Sequence, residues 1–403
     1  MKTLVINTGS SSIKFALFQM PQGQQLAAGL VEQIGGKLGS IRIETPTVNH
    51  LEQVEIPSHQ VGLKLVSNWL MDPQYNLIAN ANEVNAIGHR VVHGGEAFQK
   101  TTIINTAVKD KIKALFGLAP LHNPANLEGI EVAENVFPTA KQVAVFDTAF
   151  HHTLPPKAYH YAIPQYLYDD YGIRVYGFHG TSHRYVTKAS ADYLKITLDK
   201  VNLITIHIGN GASMTAIKNG KSIDTTLGMT PLAGLVMGTR VGDIDPGVIF
   251  YLEEEKGYSI EKVKNLLNKE SGMKGLSGDN DLRAVSERAA EGDELAQLAM
   301  DVYTYRIKKY IGAYIAAIGP IDAIVFTAGV GENSAMVREM VCHEMSHLGI
   351  TMDVVENNIR KKGIREINTY DSKVKILITP TNEELEIARQ TYVLLKQKQT
   401  RRQ

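Results

Sequence analysis

The chain has 403 residues, of which 21% are charged and 44% hydrophobic, and its 42 Lys+Arg balance 42 Asp+Glu. Zero net charge argues against a protein that holds nucleic acid by bulk positive charge, and the composition is that of a globular enzyme of two to four domains, not of a disordered chain. The single cysteine, Cys342, excludes an intrachain disulfide. No apolar run reaches the ~18–20 residues that span a bilayer, and the opening MKTLVINTGSSS has too short an apolar stretch for a signal peptide, so the expected compartment is the cytoplasm with no membrane partner.

In chain order, residues 3–7 read as a strand, 8–12 as a Gly/Ser turn and 13–18 as the return strand of a hairpin. Residues 85–92 read as a strand running into Gly94-Gly95. A helix is expected over 123–137, with Asn123 as its cap and Pro124 at its first position. A buried strand covers 142–146 and ends at Asp147, and a helix covers 181–193. Residues 203–208, 209–211 and 212–217 then repeat the strand–turn–strand pattern of the N-terminus, with Gly209 in the place of Gly9. Two such hairpins, each near the start of a half, suggest a duplicated α/β unit with a cleft between the copies. A long helix over 293–318, a strand over 322–327, a glycine turn at 329–331, a helix from about 333, a strand over 375–378 and a helix over 381–395 complete the pattern. The tail 396–403 reads as polar and frayed.

Chemistry-bearing residues gather where strands end, which is where α/β folds place ligands. Asn7, Ser10, Ser12 and Lys14 sit on the first hairpin, His207, Gly209, Asn210 and Gly211 on the second, and Gly329, Gly331, Glu332 and Asn333 at a strand-to-helix junction. Such loops let backbone N–H groups approach phosphate oxygens. None has the G-x-x-x-x-G-K-[ST] spacing, so a P-loop is excluded. Arg90, His179 and Arg240 also lie in glycine-rich loops, and an arginine fork suits a carboxylate or a phosphoryl group in transfer. Asp147, ending an apolar strand, is expected to be desolvated and to need a cationic partner. Thr381 and Glu384 fit a capping box on the last helix, which leaves Glu383 for a ligand. His343-Glu344-Met345-Ser346-His347 is a literal H-E-x-x-H on an expected helix, the zinc peptidase pattern, but no histidine follows it as a third ligand. We read it as structural.

Together the motifs resemble the acetate kinase (acetokinase) family. They are VINTGSSSIKF at 5–15, HRVVHGG at 89–95, PLHNP at 120–124, FDTAFH at 146–151, YGFHGTSHR at 176–184, HIGNGAS at 207–213, MGTRVGDIDPG at 237–247, GVGEN at 329–333 and TNEE at 381–384. Two departures are Ala233, where Glu is common, and Ala328-Gly329-Val330-Gly331 in place of Gly-Gly-Ile-Gly. The resemblance implies the fold of the sugar kinase, actin and heat-shock ATPase superfamily, two duplicated ribonuclease H-like α/β domains with a nucleotide cleft between them. The implied boundaries are 1–148 plus 384–403 for the N-terminal domain and 149–383 for the nucleotide-binding one. The implied reaction is reversible transfer of the γ-phosphoryl group of ATP to acetate, giving acetyl phosphate and ADP, with Mg²⁺ or Mn²⁺, in a cytoplasmic homodimer. Carried over by position, Arg90, Val92, Leu121, Phe178 and Pro231 would hold the acid; Asn7 and Glu383 would hold the metal; Asp147, His179 and Arg240 would serve catalysis. Lys14, His207, Ile208, Gly209, Asn210, Gly211, Asp281, Leu282, Arg283, Gly329, Val330, Gly331, Glu332 and Asn333 would bind the nucleotide. The alternatives are a propionate kinase of the same family and a non-enzymatic, actin-like nucleotide switch.

Overall fold

The computed structural model describes residues 1–120 and 122–400, except for the side chain of Gln399. The chain forms two compact units, Met1–Phe150 with Asn382–Gln403, and His151–Thr381.

The first unit is built on an eight-stranded sheet of β1 (Lys2–Thr8), β2 (Ser12–Gln19), β3 (Gln24–Glu32), β4 (Gly39–Glu44), β5 (Asn49–Val54), β6 (Val84–Val91), β7 (Thr102–Ile103) and β8 (Lys141–Phe146), in the order β5-β4-β3-β2-β1-β6-β8-β7. Alternate residues of β1 serve opposite faces. Leu4 and Ile6 pack with Leu63, Val66 and Trp69 of the helix His59–Met71, while Val5 packs with Ile387 and Ala388 of the helix Glu383–Thr400. With helices on both faces, the central strands read as nearly unbroken apolar runs. The C-terminal helix lies close on β6: a Cβ on Gly88 would stand 2.6 Å from Thr391 Oγ1 and 2.7 Å from Ile387 Cγ2.

The second unit has a six-stranded sheet of β9 (Leu203–Ile208), β10 (Ala212–Lys218), β11 (Lys221–Thr225), β12 (Ala323–Thr327), β13 (Arg365–Glu366) and β14 (Lys375–Ile378), in the order β11-β10-β9-β12-β14-β13. The cores of the two sheets have one topology. In each, a strand pairs antiparallel with its hairpin partner and parallel with the next central strand: β2-β1-β6-β8 in one, β10-β9-β12-β14 in the other. Each hairpin turn is closed by its glycine N–H, Gly9 N donating to Ser12 O at 2.8 Å and, in a turn one residue shorter, Gly209 N to Gly211 O at 3.0 Å. The duplication expected from the two glycine hairpins is therefore real. The long helix Glu294–Ile318 buries Ala296, Ala299, Met300, Tyr303, Ile307, Ile311 and Tyr314 at helical spacing. Among the described residues no helix is long and apolar enough to cross a membrane.

Several local expectations are corrected. Asn123 is not a cap: His122 occupies that position, and the buried Asn123 side chain instead bonds both backbone groups of His93, each at 3.0 Å. Residues 328–333 are helical, not a turn, and a second helix, Ala335–Cys342, follows. Thr381 and Glu384 do not form a capping box. Asn382 Oδ1 takes the N–H of Leu385 at 2.9 Å, while Thr381 N donates to Glu332 Oε1 at 3.1 Å. The last helix runs through Thr400 and so includes much of the segment expected to fray. The H-E-x-x-H segment is not helical. The helix ends at Cys342, Glu344 turns into the left-handed region at φ 57°, and Ser346–Leu348 is a short 3₁₀ turn. The one-turn spacing that would aim both histidines at one metal is lost with the helix.

Candidate active site

Parallel strands put their C-terminal ends on the same sheet edge, so one edge of each unit collects the loop residues. In the first unit this edge carries Asn7 near the end of β1, Arg90 near the end of β6 and Asp147 just after β8. Lys14 faces Asn7 across the hairpin. Glu383 and Glu384 arrive on the first turn of the C-terminal helix.

Arg90 is the centre of this group. Its Nη2 donates to Asp147 Oδ2 at 2.5 Å and its Nη1 to Asn7 Oδ1 at 3.5 Å, and its Nε lies 4.0 Å from Glu383 Oε2. Asp147 is fully buried, as expected of a carboxylate ending an apolar strand. Burial alone would weaken the hold of Arg90 on its proton, but Asp147 and then Glu383 more than offset this and keep the guanidinium charged. Burial raises the Glu383 carboxyl to about 7, Arg90 opposing and Asp147 and Glu384 adding to the rise. Lys14 Nζ is committed to Glu384 Oε1 at 2.6 Å. Arg90 Nε is buried and, among the described residues, has no hydrogen-bond partner. The anion it faces is Glu383, whose Oε2 stands beyond hydrogen-bond range at 4.0 Å. Val92 is buried just beyond β6, its N–H held by Asn126 Oδ1 at 3.0 Å. Asn126 also donates to Thr8 O at 2.7 Å and so ties the ends of β1 and β6 together. Leu121 lies outside the described residues.

In the second unit His179 caps the helix Gly180–Leu194 in the left-handed region, at φ 54°. Its Nδ1 lies 2.9 Å from Ser213 Oγ, and its ring stacks on His207 at 4.4 Å. Arg240 sits in a tight loop closed by Met237 N donating to Arg240 O at 3.1 Å, and Gly238 N is held by Asn210 O at 3.0 Å. Arg240 Nη1 donates to Pro231 O at 3.0 Å, and among the described residues no carboxylate pairs with it. Burial with no counter-charge lowers its pKa from the usual arginine value. A Cβ on Gly211 would stand 3.5 Å from His179 Nε2 and 3.8 Å from Arg240 Nη1, so both donors converge on the space above that glycine. Phe178 is buried, and its carbonyl lies 2.9 Å from His151 Nε2.

Beside this group the second unit has a pocket of about 1450 Å³ lined by Gly209, Asn210, Asp281, Leu282, Arg283, Gly329, Val330, Glu332 and Asn333, all expected nucleotide contacts. His207, Ile208, Gly211 and Gly331 lie on the same strand ends but do not line it. One oxygen of the Glu332 carboxylate, Oε1, takes the backbone N–H groups of Ala328 and Thr381.

Sequence reasoning missed Arg338. It is 1% exposed and donates to Gly331 O, Glu332 O, Asn357 Oδ1 and Asn357 O at 2.8–3.1 Å, bracing the helix Ala328–Asn333 against the helix Val354–Asn358. No motif flags it. His183 was also passed over, although it lies four residues after His179 and so one turn along the helix.

A buried arginine held by a carboxylate, together with a glycine-lined pocket of about 1450 Å³ on a duplicated α/β fold, has the makings of a phosphotransferase site. Comparison with known proteins specifies it further. The chain belongs to the acetokinase family, whose profile matches residues 2–389. It is 52% identical to the acetate kinase of Flavobacterium johnsoniae, over 98% of this chain and 100% of that one. The crystal structure of Porphyromonas gingivalis acetate kinase superimposes with a TM-score of 0.93 at 45% identity, covering 98% of this chain and 99% of that one. A propionate kinase from Francisella tularensis superimposes with a TM-score of 0.91 at 43% identity, covering 97% and 99%. The protein is thus a kinase that transfers a phosphoryl group to a carboxylate.

Proposed function

We propose that this chain is an acetate kinase, catalysing reversible, direct in-line transfer of the ATP γ-phosphoryl group to acetate. The observation that carries the acceptor assignment is Arg90, whose buried Nε lacks a hydrogen-bond partner among the described residues and whose charge is held by Asp147. The acetate carboxylate is already ionised at neutral pH, so no general base is needed. Its oxygen forms the new O–P bond while the bond from the γ-phosphorus to the bridging β,γ-oxygen breaks and ADP leaves with the electron pair. The work left to the protein is positioning and charge neutralisation. Arg90 lowers the repulsion between two anions, and Asp147 fixes the fork of Arg90. His179 and Arg240 donate to the equatorial oxygens as the phosphoryl group flattens. By the resemblance, Val92, Leu121, Phe178 and Pro231 are the residues proposed for the methyl group.

Asn7 Oδ1 and Glu383 Oε2 flank the same guanidinium, one neutral and one anionic hard oxygen. That donor set fits Mg²⁺, which takes one or two protein oxygens and fills its shell with phosphate and water. Bound with the nucleotide, Mg²⁺ would neutralise charge on the leaving diphosphate. The cytoplasm is the proposed compartment. A homodimer is proposed from membership of the acetokinase family.

The test is acyl phosphate formation, trapped with hydroxylamine, from acetate, propionate and butyrate side by side. Acetate should give the highest kcat/KM. Preference for propionate would favour the second reading, which the likeness to the Francisella enzyme supports. No acyl phosphate from any acid would leave a nucleotide switch.

A further inference from the structure

Three side chains behind His179 form one unbroken hydrogen-bonded line with it. Thr205 Oγ1 lies 2.7 Å from His183 Nδ1, His183 Nε2 lies 2.7 Å from Ser213 Oγ, and Ser213 Oγ lies 2.9 Å from His179 Nδ1. Thr205, His183 and Ser213 are fully buried. Every link can be made with the protons pointing either way, but only if all of them point the same way. Ser213 has one proton for two ring nitrogens, and a neutral histidine carries one N–H and one lone pair.

The far end breaks the tie. If Thr205 donates to His183 Nδ1, then His183 Nε2–H donates to Ser213, and the Ser213 hydroxyl donates to His179 Nδ1. Every proton in the line then has an acceptor. In the reverse direction the Thr205 proton is displaced from His183, and among the described residues Thr205 Oγ1 has no other hydrogen-bond partner. A buried hydroxyl left without an acceptor costs more than a typical hydrogen bond gains.

We propose that Thr205, His183 and Ser213 are positioning residues that hold His179 as the neutral tautomer with its proton on Nε2, presenting a fixed N–H donor to the phosphoryl group in transfer. This rests on the proposed role of His179 as that donor. No proton changes owner in the reaction. The line works by denying His179 the other tautomer and the imidazolium, since both need a proton on Nδ1 and would reverse every link back to Thr205. The surroundings act in the same sense: burial first, and then His151, His207 and His179 nearby, keep His183 neutral. A donor fixed before the reaction needs no reorganisation when charge develops on the phosphoryl oxygens.

The experiment is nitrogen NMR of the full-length protein labelled at its 13 histidines, with His179 assigned by its loss in His179→Gln. At neutral pH the wild type should show His179 with a pyridine-type Nδ1 and a pyrrole-type Nε2. Thr205→Val is nearly isosteric and removes the terminal donor; it should mix the two tautomers and lower kcat about tenfold, with KM for acetate and ATP within about twofold. Thr205→Ser should restore both the spectrum and kcat. A wild-type His179 protonated on Nδ1 or as the imidazolium would overturn the proposal even if Thr205→Val failed to fold. So would a Thr205→Val enzyme with unchanged tautomer and kcat, or a Thr205→Ser enzyme as impaired as Thr205→Val. The spectrum reads the hydrogen-bond line whether or not acetate is the substrate, so its failure is distinguishable from failure of the acetate assay.

Discussion

Replacing Arg240 by alanine separates function from stability. In the folded protein Arg240 is a half-buried cation with no carboxylate partner among the described residues. Its good hydrogen bond is the one from Nη1 to Pro231 O at 3.0 Å; a longer contact to Met237 Sδ spans 3.8 Å. Losing a single hydrogen bond made by a charged donor costs roughly 1.5–3 kcal/mol. Removing a charge held partly out of water without a counter-ion returns some of that. The net stability change should therefore be small, a melting shift of at most about 3 °C. The catalytic cost should be much larger. If the empty side of this guanidinium receives phosphoryl oxygens, its loss removes a preorganised transition-state donor, worth on the order of 10²–10³ in kcat or ~2.7–4 kcal/mol. Hydroxylamine trapping of acetyl phosphate at saturating ATP and acetate measures kcat, and calorimetry on the same samples measures the melt. Near-wild-type kcat would refute the assignment. A melting drop of 10 °C or more would refute it differently, by showing that Arg240 is structural and that lost activity follows lost fold.

Gly88→Val should destabilise the first unit by about 1–3 kcal/mol, because a side chain there meets Thr391 and Ile387 of the helix that carries Glu383; a melt indistinguishable from wild type would contradict the close approach of β6 and that helix. Glu383→Gln removes the anionic oxygen proposed for the metal, and should raise the Mg²⁺ concentration for half-maximal rate severalfold while leaving KM for acetate nearly unchanged; an unchanged Mg²⁺ requirement would rule that role out. His89 is buried against Gln142 at 2.7 Å, and burial lowers its pKa to about 4. Above pH 6.5 it is neutral in both folded and unfolded states, and between 6.5 and about 4 only the unfolded chain takes the proton, so stability falls by roughly 3 kcal/mol as the pH drops through that window. His89→Gln should flatten this part of the pH–melting curve, and an unchanged slope would show that His89 does not cause it.

Much of the architecture follows from local pattern, because a hairpin turn and a buried parallel strand are written in contiguous residues. The runs at β1, β8 and β12 are apolar because both their faces are covered, and the polar groups at their ends cannot be core. Asn7, Arg90, Asp147, His179 and Arg240 stand out for that reason, and the repeated glycine hairpin shows the duplication. What the sequence alone could not decide was which polar groups spend their hydrogen bonds inside the fold. Asn123 looks like a helix cap but serves the His93 backbone, 30 residues back. Glu332 lines the pocket, but one of its oxygens, Oε1, also takes the N–H groups of Ala328 and Thr381. The H-E-x-x-H segment satisfies a zinc pattern letter by letter, yet the helix stops at Cys342 and the backbone turns left-handed at Glu344, which the letters do not show. The line from Thr205 through His183 and Ser213 to His179 joins β9, the helix Gly180–Leu194 and β10, which neither periodicity nor spacing connects. Strand and helix positions are local consequences of side-chain periodicity; the direction of a buried proton depends on every partner within reach, and those partners exist only once the chain has folded.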